Sequence, residues 1–257
     1  MTKSHTAAIA PPRQGSAAQL ALVFCDAGIR PAMLALHAYR REIDSVVLRP
    51  AEPRVARAKL AWWGEELDRL RHGVPRHPIT TTLEPRLTGD EISKLAEYLL
   101  ASTQWQQPDS RSDRDLGPFC ESTGGALAEV ASVAAGQERG TSTDDLRMAA
   151  RMLGSGIRST ALIRMAMISP RLRRQLDADD GHLTPLMELA AQALRSGLDV
   201  MPDSEKIRQR GLLVMAALHA RLLTRLKRAP VDTYAELGPL LKLWTAWRTA
   251  RSLEYTG

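Results

Sequence analysis

Asp44 follows Arg40 and Arg41 by one helical turn in the segment ALHAYRREIDSVVL, Ala35 to Leu48. A carboxylate three and four residues after two guanidiniums can pair with them along a helix face, and an exposed pair of that kind contributes little. Other candidate chemistry is thinner. His72 and His77 have no third ligand at a standard zinc spacing. Gly154-x-Gly156 follows no strand and reads as mid-helix, so the glycines favour close helix packing over a phosphate cradle. Trp62-Trp63 read as helix-packing residues rather than an aromatic wall for a cation. No Ser-His-Asp or Cys-His constellation is legible, as expected of groups that converge only in space.

These residues belong to a chain that reads as helices throughout. Pro31 suits a helix start, and Met33, Leu36, Ile43, Val46 and Val47 recur at helical spacing until Arg49-Pro50 and Pro53 break the pattern. The next helix runs from about Arg54 to Arg71, stopped by Gly73 and Pro75. Thr88-x-x-Glu91 is a capping box for a helix through Leu100, and Gln106 to Arg114 is a polar loop. Leu116 to Ala135 reads as a further helix. Ser142-x-x-Asp145 opens one that reaches Met167 and ends at Ser169-Pro170. Helices are then expected over Thr184 to Leu198, Ser204 to Lys227 and Tyr234 to Leu253. No segment alternates as a strand would. The expectation is an all-α, single-domain protein of about ten helices, with residues 1–18 as a flexible tail and 19–253 as the helical domain.

Composition narrows the partners. Of 257 residues, 44% are hydrophobic, enough for a sizeable core, and no apolar run reaches the length of a membrane span. Cys25 and Cys120 are isolated, which suggests a reduced, cytoplasmic setting without a disulfide framework. The formal net charge is +6, but the arginines scatter from Arg13 to Arg251 and only 4% of residues are aromatic. That pattern fits solvated helix faces and argues against nucleic acid. The first residues carry only Lys3 and Arg13, too few for a typical organelle transit peptide.

The stretch from Ala35 to Leu83, with Trp62-Trp63, Glu66-Leu67-Asp68, Gly73 and His77-Pro78, resembles the first helical block of the squalene/phytoene synthase family, the head-to-head prenyl transferases. There the pattern A-L-Y-A-F-C-R-x-x-D-D-x-x-D precedes a Trp-bearing helix. Its acids fall here at Asp44, Ser45 and Leu48. Leu153 to Ser169, LGSGIRSTALIRMAMIS, resembles the family's L-G-x-A-x-Q-L-T-N-I-L-R-D-x-x-E-D block, with Leu153, Gly154, Thr160 and Arg164 matching. The family's Gln and Asn fall at Arg158 and Ala161, and its three acids at Met165, Ile168 and Ser169. One carboxylate in six survives.

The resemblance implies an isoprenoid-synthase-like helical fold around a central cavity, with Asp44 facing the wall that bears Met165 and Ser169. In active relatives the two acidic segments hold magnesium, which neutralises the departing diphosphate. Leu48 and Met165 cannot ligate it, so no metal or cofactor is expected. A subgroup lacking the acids in this way, the phytoene-synthase-like proteins related to the mitochondrial complex I assembly factor, suggests a binding or assembly role. Arg41, Asp44, Arg158 and Arg164 are then the expected ligand-binding residues, and His37, Leu48, Ala161, Met165 and Ser169 the expected cavity lining. The implied ligand is a prenyl diphosphate or lipid anion held by bidentate guanidiniums. A protein partner and peripheral membrane contact are compatible with this reading. Two alternatives remain: an active magnesium-dependent prenyl transferase that uses displaced carboxylates such as Glu42, Glu121 or Glu129, and a helical bundle without a cavity.

Overall fold

Helix punctuation in the chain accounts for most of the observed elements. The structure, a computed structural model, describes residues 9–48, 52–105, 116–136, 144–175 and 183–253. Ser16 accepts from the Gln19 amide and opens α1 (Ala17–Phe24). Pro31, in the first turn, starts α2 (Arg30–Val47), which buries Ala32, Ala35, Leu36, Tyr39, Ile43 and Val46 along one face. Pro53 begins α3 (Pro53–Arg71). Gly73, at a φ of 71°, lets the chain turn back so that the Val74 amide reaches the Arg69 carbonyl. His77 caps the short α4 (Pro78–Leu83) through Nδ1. The Thr88 amide and hydroxyl both donate to Glu91 ahead of α5 (Gly89–Trp105).

The expected helix over Leu116 to Ala135 is interrupted. It comprises α6 (Leu116–Cys120), one wide turn at Glu121–Gly125, and α7 (Ala126–Gly136). The reason lies in the next helix, the 25-residue α8 (Asp144–Ile168). Gly124 and Gly154 meet backbone to backbone, and a Cβ on Gly154 would stand 2.2 Å from the Gly124 carbonyl oxygen. Only paired glycines permit that crossing. Gly156 similarly admits Leu194 and the Ala190 carbonyl of α10 (Leu183–Val200).

α8 is the central helix. The wide turn, α7, α10 and α12 (Arg210–Leu226) all pack on it. Ser169 starts α9 (Pro170–Gln175). Two expected helices are shortened. Ser204 to Lys227 divides into α11 (Asp203–Lys206) and α12, because the chain turns at residues 207–209, where buried Gln209 donates to the Ser132 carbonyl at 3.0 Å. Residues 234–238 are not helical, and α13 begins at Pro239 (Pro239–Ser252). The loop expected over Gln106 to Arg114, the Ser142 cap and the Arg49-Pro50 break lie outside the described residues.

Among the described residues there is no strand, and one contiguous apolar core links α1 to α13. Behind α2, Tyr39, Trp63 and Tyr98 form an aromatic cluster, with Tyr39 edge-on to Trp63 at 5.1 Å. Trp63 is core and Trp62 is partly exposed, consistent with packing roles. Of the segment 1–18, described from Ile9 onward, Pro12 is buried and the Gly15 carbonyl accepts from Lys242, so this part of it is docked on the helices.

Candidate functional site

α2 and α8 place their polar side chains on opposite walls of a chamber of about 720 Å³. From α2 come His37, Arg40, Arg41, Glu42, Asp44 and Ser45, with Leu48 at its C-terminal cap; from α8, Arg158, Ala161, Arg164 and Met165. Helix α12 adds Met215, Leu218, His219 and Leu222, and the segment from Tyr234 to Lys242 closes another side. A second, apolar pocket of about 160 Å³ lies deeper, between Leu22, Met33, Leu36, Leu127, Ile157 and Leu212. His37, Arg40, Arg158 and Met215 border both. A charged chamber therefore meets a greasy recess.

Across the chamber, Arg158 donates two parallel hydrogen bonds to Asp44, Nη1 to Oδ2 at 2.7 Å and Nη2 to Oδ1 at 2.8 Å. The Tyr98 hydroxyl donates to Oδ1 at 2.8 Å. Asp44 thus pairs with Arg158 from another helix rather than with Arg40 or Arg41 on its own. Burial works to raise the Asp44 carboxyl. The charge and hydrogen bonds of Arg158, with Arg40 and Tyr98, outweigh it and hold the group below its ordinary value. The Arg158 guanidinium also stands over the Phe119 ring at 5.5 Å, and its Nε is buried without a partner. The glycine crossing one turn earlier brings Arg158 to this place.

The chamber's other acids are occupied too. Glu42 pairs with Lys59 at 2.9 Å, and Glu236 with Lys242 at 2.5 Å and the Tyr234 hydroxyl. Among the described residues, Arg40, Arg41 and Arg164 form no ion pair, and the Arg40 Nε is buried with no partner. Their field is felt by the histidines. Burial, then Arg40 and Arg41, push His37 down to about 4 against a smaller opposing effect of Asp44. Burial, then Arg40 and Arg164, push His219 down to about 3, and its Nδ1 has no partner. The surplus charge of the site is positive and suited to a phosphate.

Of the residues singled out from the sequence, Arg41, Asp44, Arg158, Arg164, His37, Leu48, Ala161 and Met165 all border this chamber. Ser169 does not. It lies beyond the end of α8, where its hydroxyl accepts from the Leu172 amide at 3.2 Å and begins α9. Glu121 and Glu129 border neither pocket and bind Arg151 instead. Sequence reasoning missed Arg40, His219, Tyr234, Glu236 and Lys242. Arg40 adjoins Arg41 in the sequence, and its place four residues before Asp44 puts it on the same face. The other four arrive from distant elements and carry no local signal. Among the described residues, no three His, Cys, Asp or Glu side chains lie close enough to share a metal ion.

An all-helical fold around a cavity that is charged at one end and apolar at the other is of the isoprenoid-synthase type. Residues 12–175 match the family described as squalene/phytoene synthase, and the chain belongs to that family. No curated protein matches the sequence. Among solved structures, a dehydrosqualene synthase crystallised in complex with a ligand is similar, with 13% identity and a TM-score of 0.60 over 93% of this chain and 90% of that one. The squalene synthase HpnC from Alicyclobacillus acidocaldarius is similar at 15% identity and a TM-score of 0.60, over 81% of this chain and 87% of its own. At such identities the likeness is one of fold.

Proposed function

We propose that this protein binds a phosphate-bearing isoprenoid or lipid directly through arginine, without metal and without head-to-head prenyl transfer. The observation that carries the reading is the Asp44–Arg158 pair. Both oxygens of the one surviving acid already accept hydrogen bonds, three in all, and the position opposite is a guanidinium.

Magnesium, which in active relatives would neutralise the diphosphate leaving group, does not fit the residues present. It needs oxygen ligands in near-octahedral order and one or two free carboxylates. Asp44 would have to release Arg158, leaving that 3%-exposed guanidinium unpaired beside a divalent cation. Ala161 and Met165 on the facing wall offer no oxygen side chain. The displaced carboxylates do not repair this, since Glu42 is held by Lys59 and the other two candidates lie outside the chamber.

Arg40, Arg41 and Arg164 instead supply unpaired donors around one chamber. Charge-assisted bonds from guanidinium to phosphate are strong and geometrically selective. The deeper apolar pocket begins at His37 and Arg40, so a hydrocarbon chain can lie beyond a phosphate held there. Resemblance to the acid-poor subgroup extends the reading to a role in assembling a protein partner while a lipid is bound.

The test is incubation of purified protein with labelled farnesyl or geranylgeranyl diphosphate and magnesium, followed by extraction. Unreacted substrate is the expected recovery. A head-to-head hydrocarbon, or magnesium-dependent release of pyrophosphate, would contradict the reading.

A further inference from the structure

Helix α13 turns a face to solvent that the phosphate site does not use. Its inner side, Thr245, Ala246 and Ala250, is buried against the body of the protein, where α12 is its main neighbour. Its outer side carries Leu240 at 82% exposure, Leu243 at 53%, Trp244 at 45% and Trp247 at 50%. Their spacing, i, i+3, i+4 and i+7, makes one continuous apolar stripe. Two exposed tryptophans on one short stripe is unusual for a surface that meets only water.

Basic groups frame the stripe. The Arg221 and Arg248 guanidiniums stand 5.3 and 5.1 Å from the Trp244 ring, and Arg251 stands 5.2 Å from Trp247. Arg225, Lys227 and Arg228 are exposed at the end of α12. From Arg210 to Leu253 there are eight Lys and Arg against two acids, a surplus of six, equal to the formal net charge of the whole chain. Both acids are occupied, Asp232 by Arg173 at 2.6 Å and Glu236 by Lys242. Among the described residues of this stretch, no acid is left without a basic partner.

We infer that α13, with the end of α12, is a docking surface for an anionic lipid bilayer. Tryptophan favours the headgroup level, where its ring is half in hydrocarbon and its N–H meets water. Leu240 and Leu243 add insertable apolar surface, and arginine stems can lie along it while their heads meet lipid phosphates. Nucleic acid suits the face less well: Arg guanidiniums already stack on both tryptophans, and the leucines find no use against a phosphate backbone. The segment Tyr234 to Lys242, which leads into α13, also borders the charged chamber, so docking would bring that chamber near the bilayer. The inference goes beyond the phosphate-binding reading and stands without it.

The test is sedimentation of the full chain with vesicles of phosphatidylcholine alone and of equal parts phosphatidylcholine and phosphatidylglycerol. Expected is binding to the second kind, weakened by salt. Trp244→Ser with Trp247→Ser should reduce the partition coefficient by about tenfold or more. Arg225→Gln with Arg228→Gln, on a different helix, should reduce it also, and serves as the second readout if the tryptophan variant does not fold. Arg40→Gln, inside the chamber, should leave vesicle binding intact, which separates this surface from the proposed ligand site. Absence of binding to anionic vesicles, binding by both surface variants as strong as that of the unaltered chain, or displacement of vesicles by a single-stranded oligonucleotide would overturn the inference.

Discussion

Asp44 and Arg158, 114 residues apart in sequence, close on each other across the chamber through two hydrogen bonds of 2.7 and 2.8 Å. With the Tyr98 hydroxyl at 2.8 Å, the contact occupies both oxygens of Asp44. It also sets an energetic expectation. Removing one partner of a buried pair leaves the other uncompensated, at about 3–5 kcal/mol, whereas replacing both by apolar residues is close to neutral. Asp44→Leu or Arg158→Met alone should therefore lower stability in urea unfolding, toward the lower end of that range because the Asp44 side chain is 19% exposed. The double variant should recover most of the loss. A double variant less stable than either single one would refute this coupling.

Arg40 and Arg164 should matter for ligand and little for folding, since neither makes an ion pair among the described residues. Arg40→Gln and Arg164→Gln should each weaken a prenyl phosphate by about 1.5–3 kcal/mol, roughly ten- to a hundredfold in Kd. Calorimetric titration reads the loss, and an unfolding curve checks that stability is kept. Unchanged affinity in both would show that the phosphate sits elsewhere.

His37 offers a probe of the chamber's charge. Its folded value, about 4, lies below the ordinary 6.5. The unfolded chain therefore takes up this proton first, so stability is full above pH 6.5, falls as pH drops toward about 4, and is no longer affected by this group below that. A phosphate beside Arg40 and Arg41 would offset their repulsion and raise the His37 value. Titration of its ring signals by NMR, with and without ligand, should show that upward shift. An unmoved midpoint with ligand bound would place the phosphate away from α2.

Gly154→Ala tests how the fold delivers Arg158. The added Cβ would stand 2.2 Å from the Gly124 oxygen and 2.5 Å from the Ala128 Cβ, so helices must separate. Overpacking of this kind costs about 1–3 kcal/mol and sometimes more. Thermal unfolding should show the loss, and weaker phosphate binding should accompany it as α8, which carries Arg158 and Arg164, moves away. A variant with unaltered melting temperature would mean that the crossing can open at little cost.

Much of the helical order was legible because local signals and packing agree. Thr88 with Glu91, Pro31, Pro53 and Gly73 each mark an end that the structure uses. The breaks at Glu121–Gly125 and at residues 207–209 were not legible. The first exists because Gly124 must meet Gly154, and the second accompanies Gln209 reaching Ser132. Neither partner is near in sequence. The site divides in the same way: the resemblance to the family's two motifs implied that Asp44, Leu48, Ala161 and Met165 share one cavity, and all four border the chamber. Sequence could not say that Arg158 would seize Asp44, since a guanidinium's reach across a chamber is a property of the assembled walls. Ser169 followed the motif register past the point where α8 actually stops at Ile168.

The most direct test of the central claim is calorimetric titration of farnesyl diphosphate into the protein, once in EDTA and once in magnesium. Direct capture by arginine requires binding in EDTA, no stronger in magnesium, and weakened by Arg40→Gln. Binding seen only with magnesium, and abolished when Asp44 is replaced by Asn, would show that Asp44 still holds metal and that the arginine account is wrong.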